Sequence, residues 1–157
     1  MDITVWQKIL DGSDFLTQIR LTQVAKYLHD NLRITDFYNI GEKYRKLLND
    51  NILKGYPHII KLYAFDNPGI TTVNHMTKLQ ILNAGFNSGI DDNGIQNLNL
   101  VELWANNNPG ITNVNHMTKL KILYAGYNSG IDNNGIKNLN LVKFGAYCNP
   151  KITIKIQ

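Results

Sequence analysis

The 157-residue chain has a single cysteine, Cys148, so no intramolecular disulfide can form and a reducing, intracellular setting is expected. It has no run of about 18 apolar residues, which excludes a membrane-spanning helix. Its first residues, Met1-Asp2-Ile3-Thr4, lack the basic and apolar regions of a secretory leader. A strong charge of one sign is also missing. The net charge of +4 is spread thinly: residues 1–56 carry 8 basic and 7 acidic side chains, and residues 57–157 carry 8 and 5. Nothing resembles a basic patch built for phosphates, so nucleic acid is not an expected partner.

Catalytic patterns are absent as well. There is no phosphate loop, nucleophile elbow or paired-carboxylate motif, and Cys148 has no base in its sequence context to activate it. His75 and His116 stand in matching positions of a repeat without further converging ligands, so no metal centre is expected. Asp91-Asp92-Asn93-Gly94 and Asp132-Asn133-Asn134-Gly135 lack the spaced ligands and closing Glu of a calcium loop and read as turns. The chain is therefore not expected to be an enzyme or to carry a cofactor.

What is present is repetition. Residues 68–108 and 109–149 are near copies, identical at 30 of 41 positions. Each block divides again. The frame Leu79-x-x-Leu82-x-Ala84-x-x-Asn87-x-x-Ile90 recurs from Leu100, Leu120 and Leu141, and upstream from Ile59, at alternating spacings of 20 and 21 residues. This frame resembles the leucine-rich repeat, at the short end of that family's range. The expected fold is an α/β solenoid with a concave parallel sheet, preceded by a small helical N-terminal region.

The frame has a mechanical reading. Positions four and six of each unit (Leu82 and Ala84) face one side of a short strand, and positions three, five and seven face the other. The apolar sides are buried by stacking unit on unit. Asn at position nine (Asn67, Asn87, Asn108, Asn128, Asn149) offers both a donor and an acceptor, which predicts a ladder that pairs the backbone of the turn. The returning segments are short. They place Val73, Met76, Val114 and Met117, or Ile95, Leu98, Ile136 and Leu139, inward, and single turns of helix are expected there.

Eleven positions differ between the two blocks, and seven of them are strand or post-strand positions: Gln80/Lys121, Asn83/Tyr124, Phe86/Tyr127, Glu102/Lys143, Trp104/Gly145, Asn106/Tyr147 and Asn107/Cys148. Return-side residues such as His75/His116 and Lys78/Lys119 do not differ. That contrast points to a diversified concave face carrying Lys61, Tyr63, Phe65, Glu102, Trp104, Lys121, Tyr124, Lys143 and Tyr147. Aromatics among scattered charges suit a protein partner, and part of the aromatic content can also pack between strands.

Residues 1–56 show helical periodicity instead. The expected division is a helical region over 1–40, a capping helix and linker over 41–58, and five repeat units over 59–157. Gly41–Lys54 reads as one amphipathic helix with Tyr44, Leu47, Leu48 and Ile52 on its inner stripe. The order Val5-Trp6, Ile9-Leu10, Phe15-Leu16, Leu21, Val24, Lys26, Tyr27 resembles an F-box, with Ile3-Thr4 where that family has Leu-Pro. The pairing of such a start with short Asn-rich repeats is similar to proteins encoded by giant viruses of amoebae.

The resemblance implies that Val5, Trp6, Ile9, Leu10, Phe15, Leu16, Leu21 and Val24 dock a Skp1-type adaptor of a cullin ubiquitin ligase in the host cytoplasm, while the repeats hold the target. The alternative is a stand-alone binding module whose helices are only a cap. At the other end Ile152-x-Ile154-x-Ile156 alternates like a strand, which predicts either a homodimer through an open sheet edge or a strand folded back over it.

Overall fold

The computed structural model describes residues 7, 11–15, 17–19 and 34–153. Six short strands, β1 (Asp36–Phe37), β2 (Lys61–Tyr63), β3 (Ile81–Asn83), β4 (Glu102–Trp104), β5 (Ile122–Tyr124) and β6 (Lys143–Gly145), form one sheet in chain order. Every pairing is parallel. Leu62, Leu82, Leu103, Leu123 and Phe144 stand side by side, so the register follows the 20- and 21-residue spacing of the frame. The architecture is compatible with an α/β solenoid.

The frame residues fill the interior. Leu62, Ala64, Leu82, Ala84, Leu103, Ala105, Leu123 and Ala125 are buried completely. So are Ile70, Val73, Met76, Ile95, Ile111, Val114, Met117 and Ile131 from the returning segments. Two residues after each frame alanine the chain enters the left-handed region, at Asp66, Phe86, Asn107, Tyr127 and Cys148, with φ between 52° and 58°. None of these is glycine, so each costs about 1–2 kcal/mol. The backbone ladder holds them there: the N–H groups of Asp66, Phe86, Asn107 and Tyr127 donate to the carbonyls of Gly85, Asn106, Gly126 and Tyr147 in the next unit. This turn ends each strand after three residues.

The returning segments alternate between two forms. One has only open turns. The other contains a single helical turn. Two helices precede these segments, α1 (Glu42–Arg45) and α2 (Asp50–Leu53), and the returning turns are α3 (Asp92–Ile95) and α4 (Asn133–Ile136). Asp91 and Asp132 cap α3 and α4 by accepting from the N–H groups of Gly94 and Gly135.

The asparagine ladder forms at three of the five expected positions. Asn108 Nδ2 donates to the carbonyls of Ala84 (2.7 Å) and Ile90 (3.0 Å), and its Oδ1 accepts from Gly110 N–H. Asn149 does the same to Ala125 and Ile131, and Asn67 to Arg45 and Leu48. Asn87 and Asn128 depart from the expectation and are exposed; Asn87 Nδ2 reaches the Asp66 carboxylate instead. In those units Ser88 and Ser129 stand where the others have proline, their hydroxyls accept from the N–H groups of Ile90 and Ile131, and the glycine that follows lies closer to the unit before it. A Cβ on Gly89 would stand 2.6 Å from the Pro68 carbonyl oxygen, and one on Gly130 2.4 Å from that of Pro109. Backbone packs directly on backbone there, and no side chain fits between.

Upstream, the structure moves two expected boundaries. The sheet begins at Asp36, inside the segment read as helical, so a first strand with its own turns precedes the five expected ones. Gly41–Lys54 is not one helix, because Asn49 takes an extended conformation (φ −154°) and caps α2 through Ile52 N–H. Tyr44 and Leu48 pack inward as expected, whereas Leu47 and Ile52 are 60% and 42% exposed.

The contacts of this first unit copy those of the later ones. Asp50 accepts from Thr71 N–H (2.8 Å) as Asp92 does from Thr112 N–H (2.7 Å) and Asn133 from Thr153 N–H (3.1 Å). His75 Nε2 meets the Leu53 carbonyl as His116 Nε2 meets that of Ile95. Leu48-Asn49-Asp50-Asn51 thus stands where Ile90-Asp91-Asp92-Asn93 stands one block later.

Phe15 packs edge-on against Phe37 (5.5 Å) and against Tyr44 (5.6 Å), closing the first unit. At the other end Ile152 packs partly against the core, and Ile154 and Ile156 lie outside the described residues.

Replacing Asn108 with Ala leaves two buried carbonyls unpaired and should cost about 2–4 kcal/mol in urea unfolding, while Asn87→Ala should stay within about 0.5 kcal/mol. Burial tends to raise the pKa of Asp50, but its bonds from Thr71 and Thr72 outweigh burial and hold it below the ordinary value. A depressed folded pKa stabilises above the unfolded carboxylate range, about 3.9. That contribution is lost as pH falls through the folded value. Asp50→Asn, which mimics Asn133, should therefore lose less stability than the parent chain between pH 5 and pH 2, as read by unfolding at fixed pH.

Candidate functional site

One sheet face points away from the core, although Asn83 Oδ1 there accepts from Gly85 N–H and Asn106 Oδ1 from Gly126 N–H. Its outward strand positions form two rows across the units. The first is Lys61, Ile81, Glu102, Ile122 and Lys143, with Asp36 beside Lys61. The second is Tyr63, Asn83, Trp104, Tyr124 and Gly145. A third set, Phe65, Gly85, Asn106, Gly126 and Tyr147, follows just beyond the strands.

The aromatics gather in clusters. Tyr38, Tyr63, Phe65 and Phe86 form a chain with ring separations of 5.2, 5.7 and 4.6 Å. Trp104 and Tyr124 stack at 4.3 Å, and Tyr127 meets Tyr147 at 5.8 Å. Tyr124 has room because residue 145 is glycine: a Cβ there would fall 2.7 Å from Tyr124 Cδ1. The Trp104/Gly145 difference between the blocks therefore has a packing role.

Charges hold these rings. The Arg45 guanidinium lies 4.4 Å over the Tyr63 ring, and Lys143 Nζ lies 5.4 Å from the centre of Tyr124. The Tyr124 hydroxyl, by hydrogen bonding and then by charge, raises the Lys143 pKa. Glu102 accepts a hydrogen bond from Trp104 Nε1 and so fixes the indole. Burial raises the Tyr38 pKa, opposed by its bond with Asn83.

Of the expected face residues, Tyr63, Phe65, Glu102, Trp104, Tyr124 and Lys143 lie on these rows in mutual contact or close to it. Lys61 is on the face and pairs with Asp36 at 3.9 Å. Tyr147 is 73% exposed on the rim. Lys121 stands apart from the rings: it precedes β5, and its ammonium donates to the Asn140 carbonyl at the strand's N-terminal rim. Tyr38, Phe86 and Tyr127 belong to the surface and were not among the expected residues. Phe86 and Tyr127 carry a readable signal, an aromatic in both blocks. Tyr38 could be placed only by recognising the first unit.

Of the adaptor set, Val5, Trp6, Ile9, Leu10, Leu16, Leu21 and Val24 lie outside the described residues. Phe15 is described, and it faces the first unit instead of solvent. Among the described residues no three His, Cys, Asp or Glu side chains are grouped to hold a metal ion, and no helix is long and apolar enough to cross a membrane. Family models, curated proteins and solved structures were compared with the chain, and none matches it.

Tyr124→Ala uncovers one face of Trp104. In a Trp6→Phe background, which leaves Trp104 as the single indole, its emission should move to longer wavelength and become more accessible to acrylamide.

Proposed function

We propose that this chain is a leucine-rich-repeat solenoid whose outer sheet face recognises a protein partner. The observation that carries this is the part-exposed Trp104–Tyr124 stack, held in place by Glu102 and Lys143. Tyr and Trp supply much contact area for little conformational entropy, and such rings dominate binding energy at interfaces. Here they are ordered before any partner arrives, which lowers the cost of binding. The exposed thiol of Cys148 suits a reducing, intracellular setting.

Phe15 supports the reading of the N-terminal segment as a cap, because its ring covers Phe37 and Tyr44. The receptor role, with a Skp1-type adaptor on the N-terminal helices, rests on the resemblance and on residues outside the described set.

The test is affinity capture with the full chain and a Trp104→Ala/Tyr124→Ala variant, with Lys78→Ala/Lys119→Ala as the control on the return side. A partner retained by the control and lost by the face variant supports the reading, and one lost equally from both overturns it. As a cap residue, Phe15 replaced by Ala should lower unfolding free energy by about 1–3 kcal/mol and leave capture intact. A receptor would instead co-purify a Skp1-type adaptor and lose it on Trp6→Ala.

A further inference from the structure

Resting on the reading of this face as a protein-binding surface, we propose that its occupant is an extended, proline-containing peptide with acidic residues near both ends of its docked stretch.

The shape of the face restricts the occupant first. Strands of two or three residues make a strip about 10 Å wide at most, and six of them at about 4.8 Å make it roughly 24 Å long. That area fits one chain and falls well below the 800 Å² or so per partner of a standard domain interface. The peptide cannot join as another strand on this face, because the inner strands' N–H and C=O groups are already paired in the ladder. It must be held through side chains.

The period of the rings selects the conformation. Equivalent aromatics recur one block apart: Tyr63 and Trp104, then Phe86 and Tyr127. Two strand spacings are about 9.6 Å. A polyproline II helix has three residues per turn at 3.1 Å each, a repeat of about 9.3 Å. An extended β-chain repeats its face about every 6.7 Å, and an α-helix turns every 5.4 Å. Neither matches the block-to-block repeat of equivalent rings. Polyproline II also needs no backbone partner, and aromatic-lined grooves are its usual seat.

Charge then sets the ends. Among the described residues the ion pairs are Lys46–Glu42 and Lys61–Asp36, so Arg45 and Lys143 are in no ion pair, although Glu42 lies near enough to Arg45, and Glu102 to Lys143, to interact by charge. Each lies against an aromatic ring at opposite ends of the strip. From β2 to β6 is four spacings, about 19 Å, or roughly six residues of polyproline II. Glu102, between them, disfavours a third acidic group in the middle.

The experiment titrates the full chain with the peptide Glu-Pro-Pro-Ala-Pro-Pro-Glu, labelled for fluorescence polarisation. Three comparators are used: one with Lys for both Glu, one with Gly for every Pro, and an Ala-rich helical peptide of equal charge. The Glu/Pro peptide should bind at least tenfold more tightly than each comparator and weaken with rising salt. Lys143→Gln, an exposed change that keeps the fold, should weaken it several-fold, and Trp104→Ala should weaken it more.

Equal binding of the Pro and Gly peptides overturns the conformation, and equal binding of the Glu and Lys peptides overturns the charge rule. Tighter binding of the helical peptide overturns both. No binding of any peptide at millimolar concentration, alongside partner capture that still depends on Trp104 and Tyr124, overturns this proposal and leaves the protein-recognition reading standing.

Discussion

The parallel ladder sets each unit about 4.8 Å from the next, and the remaining structure has to fit that rise. It leaves no room for large groups at the turns, and it leaves turn carbonyls that must be paired. Two solutions alternate along the chain. In one, an Asn side chain reaches back to two carbonyls of the preceding unit. In the other, glycine lets backbone pack on backbone, with Gly130 N–H donating directly to the Asn108 carbonyl. Because each solution prepares the surface used by the other, the natural period is the pair of units.

The same constraint separates what is constant from what varies. Inward residues fill a closed space and are repeated nearly unchanged. Most outward residues take part in the ladder only through their backbone, so their side chains are free to differ; Asn83 and Asn106, which accept from Gly85 N–H and Gly126 N–H, are exceptions. Their differences are still coupled sideways. Tyr124 can lie across the neighbouring strand because position 145 has no side chain, and Trp104 is held by the bond from its indole nitrogen to Glu102. A ring on this face is thus placed by its neighbours as much as by its own unit.

The interior and the strand order were legible because Leu82 and Ala84 occupy sites with no spare volume, and their spacing translates directly into register. The asparagines were only partly legible: Asn87 and Asn108 share a frame position, and the neighbouring Ser-Gly or Pro-Gly decides which way each side chain turns. The first unit escaped notice because it keeps the polar caps, Asn49 and Asp50, without the Leu-x-Ala core. Tyr44 and Leu48 are four apart, which suits a continuous helix equally well, and only the capping geometry of Asn49 separates the two readings. Phe86 and Tyr127 stand outside the expected face set although an aromatic occupies that position in both blocks, and nothing in the sequence announces the left-handed backbone they adopt.

The alternation of turns also governs how such a chain can change length. Removing one 20-residue unit would set two Asn-bearing turns against each other, each reaching for carbonyls the other does not present, and would take away the glycine approach between them. Removing or adding 41 residues restores the alternation of the turns. Gain and loss by recombination are therefore tolerated in whole pairs, and the recognition strip lengthens or shortens in increments of about 9.6 Å, which is two strands and one fresh set of variable positions at a time.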